Sequence, residues 1–392
     1  MKWASALSNR VDARQALAEA CEGVLESLGG APDLALLFVS DHYADALDAL
    51  PGWTQSLLSP RHLIGCSGAG VIGAGKEVER SEAISVVAAR LPGVGLSPFH
   101  LSAAPRSFEA DFWSELTGLS APEVRGLVLI GDPASMETEE ILKRIDGAYS
   151  NAPKIGGLVS GVETAGQAAL FLNDRRLDQG LVGLAFSGAI EVQTLVAQGC
   201  RPVGDPMIIT RCKDSVIYEL NTGTPVEALQ KLYERLEPRD QELCRHSLFV
   251  GIEMTGRSHS YGHGDFLIRS LAGLEPNGGA MAVQGQFANY QVVQFHLRDA
   301  RASAHDLEQR LVRMQRSGRG KDVSGALLFS CLGRGQGLYG VSNHDSDLFC
   351  KHLGPLPLGG FFANGEIGPV GAQTFLHGYT SVFGMFRPRP VQ

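Results

Sequence analysis

Three stretches of the chain share one order of apolar and polar positions. "DLALLFVS" (33–40), "GLVLIGD" (126–132) and "GALLFSCLGRG" (325–335) are near-continuous apolar runs of strand length. Such runs suit strands covered on both faces. A stretch of helical character follows each: about 42–50, "METEEILKRIDGAY" (136–149) and "DSDLFCKHLG" (345–354). Each pass then enters a glycine-rich junction: "HLIGCSGAGVIGAGKEVER" (62–80), "KIGGLVSG" (154–161) and "PLGGFFANGEIGP" (357–369). "AISVVAARL" (83–91) closes the first pass and "TFLHGYTSVFGMF" (374–386) the third as strands; "AALFLND" and "GLVGLAFSG", separated by "RRLDQ", read as a hairpin in the second. The irregular spacing predicts a duplicated α/β unit rather than a solenoid.

Around these passes the pattern changes. Asp12 to Leu28 reads as an amphipathic helix, with Leu17, Cys21, Val24, Leu25 and Leu28 on one side and Gly29-Gly30 as its stop. Residues 190–199, 206–212, 215–221, 266–271, 280–285 and 288–297 form a β-rich middle. Thr224, Pro225 and Glu227 spell a capping box at the start of a helix over 224–236, and Asp306 to Arg316 reads as another helix. The expected fold class is α/β: a two-lobe mixed protein of repeated strand–helix–glycine loop–strand units. The domain boundary is expected just before the capping box, giving 1–222 and 223–392.

Composition narrows the function. The 392 residues suffice for two domains with real cores. The hydrophobic share of 44% against 19% charged is that of a globular chain. The net charge of −8 speaks against a dedicated nucleic-acid binder, and "RLVRMQRSGRGK" (310–321) reads as a solvated helix end. Seven cysteines with no C-x-x-C pair argue against a disulfide framework or structural zinc and fit a reducing cytosol. No signal core and no long apolar run is present, so a cytoplasmic location without a membrane span is expected.

Two motifs in the first glycine junction mislead. Gly68, Gly70 and Gly73 spell G-x-G-x-x-G, but no helix pattern follows to hold a pyrophosphate and no acidic residue is placed for a ribose. Gly65-Cys66-Ser67-Gly68 falls one residue short of a nucleophile elbow and lacks the helix that elbow needs.

The junctions do resemble a known family. "LIGCSGAGVIG" resembles the G-C-[ST]-x-A-G segment of FIST (F-box and intracellular signal transduction) N-terminal domains, and "IGGLVSG", "GCRPVGDPMIIT" and "YELNTGTPVEAL" fit later parts of that domain. "DFLIRSLAGLEPNGGAMAVQG", "QFHLRDARASAHDLEQRL", "LLFSCLGRGQGLYG" and above all "GGFFANGEIGPVGAQTFLHGYTSVFGMFR" resemble the FIST C-terminal domain. The resemblance covers about residues 33–387. It implies a sensory module for a small ligand such as an amino acid, with no cofactor and no catalytic residue. The residues ahead of it are too few for an F-box, and no output domain is recognisable, so a separate signalling partner protein is expected.

The candidate ligand-binding residues are Cys66, Ser67, Cys331, Arg334, Asn364, Gly365, Glu366, His377 and Tyr379. Asn364 and Glu366 flank Gly365, where backbone can approach a ligand closely; equally, Asn364-Gly365 is a hairpin turn signal and Glu366 a local cap. His377, read as mid-strand, shares a face with Phe375, Tyr379, Ser381 and Phe383, which suits a pocket wall or a core histidine. Cys331 and Arg334 end a buried strand, where open α/β sheets bind ligands. Asn343, His344 and Asp345 read as a helix cap. His259 and His263 stand in a segment too glycine-rich for a helical metal pair. The alternatives are a haem-based nitric-oxide sensor ligated by His377 or His296, a hydrolase using Cys66 or Ser67 as nucleophile, and an interaction scaffold.

Overall fold

The computed structural model describes residues 1–102, 111–162, 164, 166–221, 223–254 and 261–389. It divides into two units: unit 1 holds Met1–Val196, Gln309–Leu376 and Thr380–Gln392, and unit 2 holds Ala197–Glu308 and His377–Tyr379. His259 lies outside the described residues.

Unit 1 repeats one order of elements. The first copy runs β1 (Lys2–Ser8), α1 (Ala13–Leu28), β2 (Leu34–Ser40), α2 (Leu50–Leu58), β3 (His62–Gly68), a hairpin of β4 (Gly70–Gly73) and β5 (Lys76–Glu79), then β6 (Ile84–Arg90). The second runs β7 (Val94–Leu101), α3 (Phe112–Thr117), β8 (Val124–Gly131), α4 (Thr138–Ala148), β9 (Lys154–Leu158), the hairpin β10 (Leu170–Leu172) and β11 (Arg175–Leu177), then β12 (Leu181–Gly188). The third opens with β13 (Ile190–Gln198) and is interrupted by unit 2. That insertion carries β14 (Cys200–Lys213), β15 (Val216–Leu220), α5 (Pro225–Arg235), α6 (Pro238–His246), β16 (Leu248–Glu253), β17 (Phe266–Leu274), β18 (Met281–Val283) and β19 (Val292–Arg298). The helix α7 (Ala300–Arg316) returns the chain to β20 (Gly325–Cys331), α8 (Gly335–Tyr339), α9 (His344–Leu353) and β21 (Leu358–Ala363). The hairpin of β22 (Glu366–Val370) and β23 (Gln373–His377) and the strand β24 (Thr380–Pro388) complete the third copy.

Each copy builds a sheet, but no copy keeps its own hairpin. The sheet orders are β1-β6-β2-β3-β10-β11, β7-β12-β8-β9-β22-β23 and β13-β24-β20-β21-β4-β5. The second copy's hairpin therefore completes the first sheet, the third copy's completes the second, and the first copy's completes the third. In each sheet the glycine strand lies parallel to the central apolar strand, as β3 on β2, β9 on β8 and β21 on β20. The central strands alternate sides. Leu34, Leu36 and Phe38, Val128 and Ile130, and Leu327 and Phe329 meet in one core shared by all three sheets. Ala35, Leu37 and Val39 turn instead to the core with α1 residues, and Leu127 and Leu129 to that with α4 residues. Burial on both faces is why the central strands read as continuous apolar runs.

The junction glycines serve this pairing. A Cβ on Gly65 would sit 1.9 Å from the carbonyl oxygen of Leu37. On Gly156 it would sit 1.7 Å from that of Leu129, and on Gly360 1.8 Å from that of Leu328. Each glycine faces that leucine in the parallel register. Two glycines of the phosphate-cradle look-alike are close-approach positions as well: a Cβ on Gly70 would sit 2.8 Å from the Val78 carbonyl oxygen, and one on Gly73 2.3 Å from Ser85 Oγ. Past Gly73 the chain forms β5 rather than a helix, as the sequence pattern required.

Unit 2 is a closed barrel in the order β14-β15-β18-β17-β16-β19. β14 pairs β19 and then β15, with a register shift between Val203 and Met207 beside the positive-φ Gly204. Such a bulge bends a strand around a barrel corner. The capping box forms as read: Glu227 N–H donates to Thr224 Oγ1 at 3.3 Å, and Thr224 N–H donates to Glu227 Oε2 at 2.9 Å. The position before Thr224 falls between β15 and α5, inside the barrel unit.

Three local expectations are corrected. "AALFLND" and "GLVGLAFSG" do not pair, because Asn173 takes a left-handed turn (φ 54°) and sends the chain back as β11, while β12 joins the second sheet. Asn364-Gly365 is a crossover and not a hairpin turn: β21 pairs β20 and β4, whereas β22 pairs β9. The stretch 374–386 is two strands, broken at Gly378 and Tyr379 (φ 60°). His377 thus ends β23, and the alternation placing it on one face with Ser381 and Phe383 does not hold.

Candidate functional site

The carboxyl ends of the three glycine strands are tied together. Ser160, just past β9, accepts from the Ala69 N–H at 3.0 Å and donates to the Phe362 carbonyl. Ala69 directly follows β3, and Phe362 lies in β21. Beside this knot Leu158 N–H donates to Gly365 O at 2.9 Å and Asn364 N–H to Leu158 O at 3.0 Å. Two polar side chains reach solvent here. Asn364 is exposed. Asp41, at the end of β2, keeps its carboxylate 37% exposed, with His42 Nδ1 at 3.0 Å from Oδ1. A Cβ on Gly161 would stand 2.4 Å from Asp41 Oδ2 and 3.2 Å from the Ala69 nitrogen, which puts Asp41 against the knot. Asp132, at the end of β8, is fully buried; Oδ1 accepts from Ala134 N–H at 3.2 Å, and Oδ2 has no partner among the described residues.

Cys66 and Ser67 lie in β3, just before the knot, but neither faces out. Cys66 is wholly buried in the shared core, and burial pushes its thiol well above the ordinary range. Ser67 is 2% exposed, with its Oγ accepting from the Ala169 N–H at 3.4 Å.

Cys331, Arg334 and Glu366 meet in a buried polar cluster. Arg334 donates to Asp345 through Nε and Nη2, both at 2.9 Å, with side-chain exposures of 0% and 2%. Asp345 also accepts from Ser330 at 3.2 Å and from Ser381, with His344 Nδ1 at 3.0 Å from its Oδ1. The guanidinium rests 5.5 Å from the Tyr339 ring centre. Despite burial, Arg334 and its neighbours hold the Asp345 carboxyl well below the usual range. Glu366 accepts from Thr380 N–H at 3.1 Å, and desolvation drives its pKa well above the ordinary value. Glu77, in the exchanged β5, accepts from Ser346 N–H at 2.7 Å, while its own N–H donates to Asn343 Oδ1 at 2.7 Å. Burial, then the Asp345 charge, push Glu77 up to about 8, against the weaker pull of Ser346 and Arg334.

The cluster therefore fastens the first copy's hairpin onto the third copy. The other exchanged hairpins have polar anchors too. Thr374 donates N–H and Oγ1 to Asp146 at 2.6 and 2.7 Å, and Arg176 pairs with Asp48 at 2.8 Å.

A pH dependence follows for Glu77. Below pH 4.5 both folded and unfolded chains hold its proton; between 4.5 and about 8 only the folded chain keeps it. Stability from this group is full at the acid side and is lost as pH rises through that window. The melting temperature is expected to fall across it, by an amount on the order of a few kcal/mol of stability. Glu77→Gln is expected to flatten the slope in a melting series from pH 5 to 8. An unchanged slope would show that Glu77 is ionised in the folded protein.

The remaining candidates sit with unit 2. Tyr379 packs against Phe249 with ring centres 4.3 Å apart and the rings tilted by 53°, lies under Arg298 at 5.6 Å, and has its hydroxyl 3.1 Å from Ser270 Oγ. His377 is 3% exposed. His296 is buried against Phe266, and burial brings its pKa down to about 4, so it is a neutral core histidine; Nε2 has no partner among the described residues.

The sequence reading missed Asp41, Asp132, Ser160 and Glu77, and took Asp345 for a cap. One signal was available: the strand-end rule applied to Cys331 and Arg334 also points to Asp41 after β2 and Asp132 after β8.

Comparison with known proteins places the chain in a family. The FIST N domain model matches residues 33–222, and the FIST C domain model matches residues 226–369. The chain belongs to the FIST family. The junction between the two FIST matches falls inside the barrel unit, and both matched stretches contribute strands to the second and third sheets. Among FIST relatives, an uncharacterised Mycobacterium tuberculosis protein is 35% identical over 387 residues, covering 98% of this chain and 100% of its own. An uncharacterised Mycobacterium bovis protein is 33% identical over 377 residues, covering 96% of each. Of solved structures, a cyanuric acid hydrolase aligns over 99% of this chain and 100% of its own, at 10% identity and a TM-score of 0.30, too low to carry an argument. FIST domains are sensory modules of signal transduction. No helix among the described residues is long and apolar enough to cross a membrane.

Proposed function

We propose that this FIST protein senses a small polar ligand, such as an α-amino acid, at the knot of strand ends around Ser160. The observation that carries the reading is that the segments joined at the knot bear an accessible carboxylate, Asp41, and an accessible amide, Asn364. Ser160 bonds backbone adjoining each of them. A ligand ammonium suits Asp41, and a ligand carboxylate suits the Asn364 amide and neighbouring backbone N–H groups. Carboxyl ends of parallel strands are where open α/β sheets take ligands. Of the candidates read from sequence, Asn364 and Gly365 fall at this site. Cys331, Arg334 and Glu366 lie in the buried cluster beneath it, where Glu366 of β22 accepts from Thr380 N–H and Arg334 pairs with Asp345. Signal output passes to a separate partner protein.

A thermal-shift panel of proteinogenic amino acids and small organic acids tests the reading. A ligand at a hundredfold its dissociation constant is expected to add about 2.7 kcal/mol of stability. A panel in which no compound raises the melting temperature contradicts it.

A further inference from the structure

A second cleft opens at the opposite ends of the same strands. It measures about 540 Å³ and is lined by Val124, Arg125, Asn151, Pro153, Glu191 and Arg389, among others. Val124 begins β8, Pro153 precedes β9, and Glu191 lies at the start of β13. The length of β8 separates it from the Ser160 knot, roughly 23 Å at the rise of a strand.

Charge in this cleft is unbalanced. Its carboxylate, Glu191, is engaged by Arg387 Nη2, which lies 2.7 Å from both oxygens. That bond, with the charges of Arg387 and Arg389, holds Glu191 below its ordinary pKa. Arg125 and Arg389 are left without a carboxylate partner among the described residues. Arg125 Nε is also buried with no acceptor. A buried donor left unmade is costly, more so when charged, and an acceptor supplied by a ligand removes that cost. A guanidinium presents donors in a planar fork that matches carboxylate and phosphate oxygens. The cleft volume is that of a small-molecule site. Its two excess positive charges stand out on a chain of net charge −8.

We infer that this cleft is a second binding site, for a small polyanion bearing phosphate or carboxylate groups, bridged between Arg125 and Arg389. The inference does not depend on the amino-acid reading, because it uses other residues at the other strand ends. Isothermal titration calorimetry with pyrophosphate and with citrate tests it. At least one probe is expected to bind at one site per chain, with affinity falling as salt rises. Preference between the two assigns the anion to the phosphate or the carboxylate class. Arg125→Gln and Arg389→Gln are each expected to weaken binding about tenfold. Both variants keep their melting temperature without probe, since neither arginine is paired. Arg245→Gln, in unit 2, serves as the control and leaves binding intact. Failure of both probes to bind at millimolar concentration overturns the inference, as does unchanged affinity in the Arg125→Gln, Arg389→Gln double variant.

Discussion

Arg334→Met is expected to destabilise the protein by about 3–5 kcal/mol, because it strands the buried Asp345 carboxylate without its counter-charge. Arg334 and Asp345 share two hydrogen bonds in a setting almost closed to water. Around them Ser330, Ser381 and His344 supply bonds that also depend on an ionised Asp345. The consequence reaches the fold's connectivity, since Glu77 of the exchanged hairpin bonds Ser346 one residue beyond Asp345. Asp345→Asn is expected to cost less, as an amide can still accept from Ser330 while its loss leaves Arg334 stacked on Tyr339. Removing both charges together, as Arg334→Met with Asp345→Leu, is expected to recover part of the loss, the signature of a coupled pair. Chemical denaturation of the four proteins measures this. Additive losses would show that the two residues act separately.

The second large effect lies at the three equivalent glycines. Gly65→Ala, Gly156→Ala and Gly360→Ala each drive a methyl group to within 2 Å of a carbonyl oxygen on the paired strand. Neither backbone can give way without losing the parallel ladder. Each variant is expected to lose about 3 kcal/mol or more, or to fail to accumulate in soluble form. Gly156 and Gly360 also sit at φ 153° and 154°, a region that disfavours other residues. Gly147 is the control: it lies exposed in α4, and an added Cβ meets nothing within 4 Å. Gly147→Ala is expected to be neutral or stabilising by up to about 1 kcal/mol. Similar losses at Gly147 and the junction glycines would show that backbone entropy, not close approach, explains the effect.

Much of this architecture was legible in the chain. The three apolar runs became β2, β8 and β20, because strands buried on both faces leave no polar alternation. The glycine junctions became β3, β9 and β21. The closed barrel and the hairpin exchange were not legible, for a shared reason. A hairpin pairs locally wherever it finally docks, so β4–β5, β10–β11 and β22–β23 look alike in their own and in exchanged positions. The turn at Tyr379 was hidden because a left-handed conformation at tyrosine has no sequence signal, unlike Asn173. β1 was missed since "KWASALS" alternates weakly; its pairing partner β6 lies more than seventy residues on and supplies the burial.

Of the proposed site, Asn364 and Gly365 are read from the glycine motif, while Asp41 and Ser160 carry no motif; Glu366 reads equally as a ligand group and as a local cap. In the structure a carboxyl two residues from an exposed amide is wholly desolvated, because β22 buries its side chain toward Thr380. Asn364 lies in the crossover ahead of β22, whereas Glu366 is inside that strand, and the register of β22 is set by β9, which belongs to another copy.

The central claim is that a small polar ligand binds at the Ser160 knot through Asp41 and Asn364. Calorimetric titration of the amino acid or organic acid that most raises the melting temperature, into wild-type protein and the Asn364→Ala and Asp41→Asn variants, tests it most directly. Both side chains are accessible, so each variant is expected to keep its unliganded melting temperature while its dissociation constant rises about tenfold, the worth of a charge-assisted hydrogen bond. Unchanged dissociation constants in both variants would place the ligand elsewhere and contradict the claim.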